Sequence, residues 1–143
     1  MFLLDTNVIS EFRKINLGQA DPNVERWTKD ISPEFLYLSA INIFELDFGI
    51  IKRARRDPAG AAKLQDWLDN VVIAKYRDRV LPFGLDEARI CASLWSDRTR
   101  PYRDAMIAAT AMKAGLTLVT RNTADFRDMN VPLINPWEGQ GVK

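Results

Sequence analysis

Four carboxylates stand where solubility does not explain them. Asp5 closes the apolar run Phe2-Leu3-Leu4, and Asp125 follows the run Leu116–Thr120 after a short turn. In Asp104-Ala-Met-Ile-Ala-Ala-Thr-Ala-Met, helical spacing groups Asp104 with Ile107, Ala108, Ala111 and then Gly115, the smallest and most apolar face of that segment. Glu45 shares a face with Ile41 and Phe48 in the same way, whereas Asp47 points elsewhere and needs only solvent. An unpaired carboxylate on an apolar face costs on the order of several kcal/mol or loses its charge. Taken singly, each acid also fits an ordinary role as a helix cap or an arginine partner. If all four meet at one edge of a fold, their mutual repulsion requires a cation.

The rest of the composition restricts that cation and its chemistry. The chain of 143 residues has no histidine and one cysteine, Cys91. Ser-His-Asp and Cys-His catalysis are excluded, as are histidine-ligated zinc and haem. Oxygen ligands suit a hard ion, Mg²⁺ or Mn²⁺. Such a site suits cleavage of phosphate esters by an activated water. The lone cysteine fits a reducing cytoplasm. The N-terminal MFLLDTNVIS lacks the basic and apolar regions of a secretion signal. No stretch approaches the roughly 18 apolar residues that would span a membrane.

Alternating strands and helices must position these acids. Apolar runs at Phe2–Leu4, Phe35–Leu38, Val80–Phe83, Leu116–Thr120 and Pro132–Ile134 read as short buried strands. Helical patterns cover about 7–14, 22–31, 40–56, 59–76, 85–97 and 103–114. Ser39 and Asn122 fit helix N-caps, Gly115 a C-cap and Asp57-Pro58 a helix break. The pattern predicts one α/β domain over residues 1–143, a central, mainly parallel β-sheet flanked by α-helices, with a tail loosely held after about residue 135. Ligands of such sheets sit outside the carboxyl ends of the strands, the end at which Asp5 and Asp125 lie.

Other carboxylate–metal folds fail on individual residues. A haloacid-dehalogenase-like phosphatase needs a second Asp where Asn7 stands, and a P-loop needs an absent Gly-Lys-Ser/Thr. A response-regulator receiver needs a middle-strand Asp and a late lysine, which the runs ending at Leu38, Phe83 and Arg121 do not supply. By contrast, Met-Phe-Leu-Leu-Asp5-Thr-Asn-Val-Ile-Ser, Ser39-Ala-Ile-Asn-Ile-Phe-Glu45-Leu-Asp-Phe-Gly-Ile, Asp104-Ala-Met-Ile-Ala-Ala-Thr-Ala and Leu118-Val-Thr-Arg-Asn-Thr-Ala-Asp125-Phe resemble the PIN-domain ribonuclease family. Within it they are most similar to the VapC/FitB-type toxins of bacterial toxin–antitoxin pairs. The motifs run in order over essentially the whole chain, ending in Val131-Pro-Leu-Ile-Asn-Pro-Trp.

The resemblance implies a metal-dependent endoribonuclease acting on RNA, usually a homodimer. It also implies inhibition by a cognate antitoxin whose C-terminal segment wraps around the toxin. Asp5 and Asp104 would be the principal ligands of Mg²⁺, with Mn²⁺ a possible substitute. Glu45 would complete the ligand set or orient the attacking water, and Asp125 would act directly or through a bound water. Thr6, Asn7, Thr120 and Asn122 would hold these carboxylates or touch phosphate. One departure stands out: the family commonly has a longer, often glycine-containing segment before the third acid, whereas Ser96–Arg103 runs straight into Asp104. That bears on the rim of the cleft and the choice of substrate. The alternatives are a PIN nuclease acting on DNA and a non-catalytic nucleic-acid-binding regulator. The short chain without added domains disfavours the first, and four intact acids disfavour the second.

A net charge of +1 requires an RNA enzyme to concentrate its cations locally. Arg53, Arg55 and Arg56, with Lys52, end the helix that carries Glu45. Arg98, Arg100, Arg103, Arg121 and Arg127 gather in sequence around the third and fourth acids. Both groups are candidates for contact with RNA or with an acidic antitoxin. The 52–56 run also suits a solvated helix C-terminus, and that reading is favoured slightly. Arg103 either depresses the pKa of Asp104 or reaches a phosphate. Trp27, Trp67, Trp95 and Trp137 are expected as core or interface anchors. Leu64, Trp67, Leu68 and Val71 form an apolar stripe, part of which suits a dimer or antitoxin groove.

Overall fold

The computed structural model describes residues 1–94 and 101–139. Trp95, Arg98, Arg100 and the far end of the helix expected over 85–97 lie outside the described residues. Phe2–Leu4 (β1) is the central strand of a parallel sheet completed by Leu36–Ser39 (β2), Val80–Leu81 (β3), Thr117–Val119 (β4) and Leu133–Ile134 (β5). The order is β3-β2-β1-β4-β5, with Phe2 opposite Leu36 on one side and Thr117 on the other, and Leu4 opposite Val119. The chain leaves β1 toward β2 on one side and later fills the other side with β4. Strand order therefore reverses between β1 and β4, the crevice in which an open α/β sheet binds its ligand.

Helices cover both faces. They are Thr6–Ile15 (α1), Pro22–Lys29 (α2), Ala40–Ala54 (α3), Pro58–Trp67 (α4), Ala74–Tyr76 (α5), Leu85–Ser93 (α6), Tyr102–Ala114 (α7) and Thr123–Phe126 (α8). Side chains alternate along each strand, so neighbouring residues serve opposite cores. Leu4 and Val119 join Val8, Trp27, Leu46 and Leu68 on one face. Leu3 and Leu118 join Ile107, Ala111 and Phe126 on the other. Ala108 and Ala111 are fully buried, and their small side chains bring the backbone of α7 close to the sheet.

Three of the expected helix signals act as anticipated. Ser39 caps α3, Asp57 caps α4 through a 3.0 Å bond from the Gly60 N–H, and Gly115 ends α7 at φ 70°, a left-handed conformation suited to glycine. Other expectations are corrected. The helix expected over 59–76 is one rod with a π-helical stretch at Leu68–Ile73 between α4 and α5. Phe35 belongs to a 3₁₀ turn, and β3 stops at Leu81, short of Phe83. The turn before Asp125 winds into α8, too short for any periodicity to reveal. The tail is also held beyond residue 135, since Pro136 is buried and the Trp137 carbonyl accepts a 2.9 Å bond from the Asn23 amide.

Leu118 sits at the centre of β4 with no exposed surface. Replacing it by alanine leaves a cavity against α7, and Leu118→Ala is expected to destabilise the fold by about 3 kcal/mol. A urea midpoint lowered at unchanged slope checks this.

Candidate active site

Asp5 is delivered to the switch point by β1 and simultaneously caps α1. Its N–H donates to the Val119 carbonyl at 2.8 Å, which ties the residue to the end of β4. One carboxylate oxygen accepts from the Thr6 N–H at 2.8 Å. The other accepts from the Thr120 hydroxyl at 2.7 Å and, at 3.5 Å, from the Asn7 amide. The side chain is buried, and burial pushes its pKa above the ordinary value. The bonds from Thr120 and Thr6 oppose that rise, while the charges of Glu45 and Asp125 add to it.

Glu45 is held by a relay that starts in the capping box of α3. The Ser39 N–H and hydroxyl both donate to the Asn42 side-chain amide oxygen, Oδ1, at 2.7 Å. The Asn42 amide donates to the Thr6 hydroxyl at 3.0 Å, and that hydroxyl donates to one Glu45 oxygen. Each proton is thereby directed toward the carboxylate. Arg103 faces the other oxygen, Nε to Oε2 at 3.5 Å. Asn42 is fully buried and was not singled out from the sequence. Its signals were the Ser39-x-x-Asn42 spacing of a capping box and its place one helical turn before Glu45. The face assigned to Glu45 needs correction: α3 buries Asn42, Leu46 and Ile50, whereas Phe48 is 43 % exposed. Glu45 lies at the boundary between that core face and solvent. Asp47, assigned to solvent alone, is half-buried and accepts a bond from Gln65.

Asp104 begins α7 on the face that continues into buried Ile107, Ala108 and Ala111. Its pKa rises from 3.8 to about 6, first through burial and then through the charges of Asp5, Asp125 and Glu45, against a lowering by Arg103. Asp125, exposed in α8, thus acts on both Asp5 and Asp104. The structure brings the four acids into one field at the carboxyl edge of the sheet. Among the described residues, however, no three of them form a ready cage for a metal ion. The donor set fits a hard divalent ion, because it is all oxygen and because the neighbouring acids raise the pKa of Asp5 and of Asp104.

The PIN domain family matches residues 2–131. The chain belongs to the PIN-domain family. VapC ribonuclease Y4jK of Sinorhizobium fredii is 39% identical to it over 145 residues, covering 96% of this chain and 99% of that one. Toxin FitB of Neisseria gonorrhoeae is 34% identical, again over 96% and 99% of the two chains. The crystal structure of FitAcB from the same organism matches with a TM-score of 0.84 at 34% identity, covering 96% of this chain and 99% of that one.

The remaining sequence candidates of this PIN domain divide. Asn7 accepts from the Arg121 N–H at 3.3 Å, and the Asn122 N–H donates to the Thr120 hydroxyl at 3.0 Å. Asn122 begins α8 without capping it through its side chain. Arg121 lies over the Trp137 ring, 5.3 Å from its centroid. Lys52, Arg53 and Arg56 are exposed, as at a solvated helix end, and with Arg13, Lys14 and Arg103 they also line a groove of about 630 Å³ that reaches Thr6 and Glu45. Leu46, Ile50, Leu64 and Trp67 give it an apolar floor. Arg55 is exposed and lies outside that lining.

Asp104 holds its proton more tightly folded than unfolded, so its ionisation opposes folding from pH 3.8 upward and does so fully above about 6. Asp104→Asn is expected to stabilise the metal-free protein at pH 7 by about 1 kcal/mol, after discounting for solvent screening of a half-exposed group, and to raise Tm by about 3 °C. The difference between the two proteins closes at pH 4, as thermal melts across that range will test.

Proposed function

We propose that this PIN domain is a Mg²⁺-dependent endoribonuclease and the toxin of a toxin–antitoxin module. One observation carries the reading: Asp5 is buried at the switch point while Asp104, Glu45 and Asp125 crowd its field. A binding surface has no use for repulsion of that kind, whereas a cation site does. The names of the relatives, a VapC ribonuclease and a FitB toxin, point the same way.

Asp5 and Asp104 would hold the ion, with Glu45 and Asp125 completing the set directly or through water. An ion bound there supplies Lewis acidity toward a phosphodiester and makes water a competent nucleophile near neutral pH. The chain's own residues do the positioning. Thr120 and the Thr6 N–H fix the two oxygens of Asp5 in separate directions. Thr6, backed by Asn42, turns Glu45 toward the same edge, where a carboxylate can orient a water and accept its proton. No histidine exists to take that role.

The antitoxin reading rests on the groove and on the similarity to the FitAcB and DNA-bound FitAB structures. A cationic rim over an apolar floor suits an amphipathic acidic segment. The exposed stripe Phe44, Phe48 and Ile51 along α3 is an apolar face for the expected second protomer. Among the described residues, no helix is long and apolar enough to cross a membrane, and Cys91 is buried and free; a reducing, cytoplasmic setting completes the proposal.

Asp5→Asn and Asp104→Asn are each expected to abolish cleavage of single-stranded RNA and inhibition of growth while leaving the protein folded. EDTA should silence the wild type and Mg²⁺ restore it. Cleavage that persists in excess EDTA would overturn the mechanism, preference for DNA would change the substrate, and no uptake of Mg²⁺ or Mn²⁺ by calorimetry would leave a non-catalytic binder. The double variant Arg53→Glu/Arg56→Glu should weaken binding of the cognate antitoxin about tenfold, with a smaller effect at high salt.

A further inference from the structure

Glu45 has both oxygens engaged, by the Thr6 hydroxyl on one side and by Arg103 on the other. These two contacts are of different kinds. Thr6 is locked by fully buried Asn42 and the capping box behind it. The Arg103 side chain is 46% exposed, and its guanidinium rests 5.9 Å from the centroid of the Phe48 ring. Arg103 therefore reaches from α7 to α3 across the mouth of the acidic edge, held by an ion pair that is exposed on the arginine side and by a ring contact. A guanidinium so exposed is screened by solvent and exchanges more readily than a buried hydrogen bond. A divalent ion that recruits Glu45 meets like-charge repulsion from the Arg103 guanidinium but none from the Thr6 hydroxyl, so Arg103 is the contact it displaces. The same guanidinium already lines the cationic groove beside Lys52, Arg53 and Arg56, so its release keeps it on the path of an incoming anion.

We propose that Arg103 is a resident counter-cation: it occupies Glu45 in the metal-free protein, yields that carboxylate to the divalent ion on loading, and then meets the phosphodiester of the substrate from the groove rim. This rests on the metal-dependent reading above and adds to it a residue that serves the metal-free site and then the substrate.

The test is Mn²⁺ titration by calorimetry on the metal-free full chain, comparing wild type, Arg103→Ala and Arg103→Lys. Arg103→Ala should bind Mn²⁺ about three- to tenfold more tightly, because a competing charge and an ion pair are both removed. Arg103→Lys keeps the charge and should stay within about twofold of wild type. At saturating Mn²⁺, Arg103→Ala should raise KM for single-stranded RNA more than it lowers kcat. In wild type, the Arg103 Nε–H resonance should shift on addition of Mg²⁺. Unchanged or weaker Mn²⁺ binding by Arg103→Ala overturns the proposal, and weaker binding is also what a purely structural arginine would show. If wild type binds no Mn²⁺, the metal-dependent reading itself falls; if it binds but the alanine variant is no tighter, only the role of Arg103 falls.

Discussion

The burial of Asp5 is the constraint to which the rest of the site answers. Strand β1 ends in a crevice that withdraws the Asp5 carboxylate from most of its solvent, and burial alone favours its neutral form. Thr120 from the end of β4 and the Thr6 N–H at the start of α1 hold the ionised form against that tendency. Both donors exist only when β1 and β4 are paired and α1 has begun. The charge at Asp5 and the register of the central strands are thus one structural fact. A slip by one residue would exchange Leu3 with Leu4 between the two cores and remove Thr120 from the carboxylate.

Around that fixed point, the other acids experience one field differently. Glu45 comes from α3 with its charge met by a hydroxyl and a guanidinium. Asp104 comes from the opposite layer, on the face that packs against the sheet, and carries the mismatch as a pKa near 6. Repulsion among fixed carboxylates is a local loss of stability that evolution retains where a ligand later removes it. A large core offsets that loss: Leu3, Leu4, Leu38, Ile107 and Leu118 are all fully buried beneath the acids.

Much of this was legible in the residues because it is local or periodic. An acid on an alanine-rich helical face is anomalous whatever the tertiary structure, and Asp104 announced itself that way. Strands bounded by Asp5 and Thr120 gave the parallel sheet and the edge to inspect. What escaped depends on contacts between distant segments. Asn42 is a polar residue in an apolar stretch, and its partner Thr6 lies 36 positions away. The turn containing Asp125 becomes helical over only four residues, and the tail is pinned by Asn23 from 114 positions earlier. The run 52–56 is an exposed helix end, and the groove it helps line was not legible because Arg13 and Lys14, which complete it, belong to α1.

The groove also shows why the net charge was a poor guide to partners. A total of +1 describes no surface of this molecule. Six cations line one groove, and the one carboxylate among its lining residues is Glu45. An anionic chain entering there gains attraction along the rim and meets repulsion where the acids begin, unless a cation has neutralised them. Arg103 stands at that boundary, paired with Glu45 and facing the groove at once. On the proposed function, the charge state of the acidic edge would govern how far an anion could advance along the groove, and a segment that needs only the rim would be held whether or not the edge is neutralised. Ordering binding and chemistry in this way would require no moving domain, only opposite charges separated along one groove.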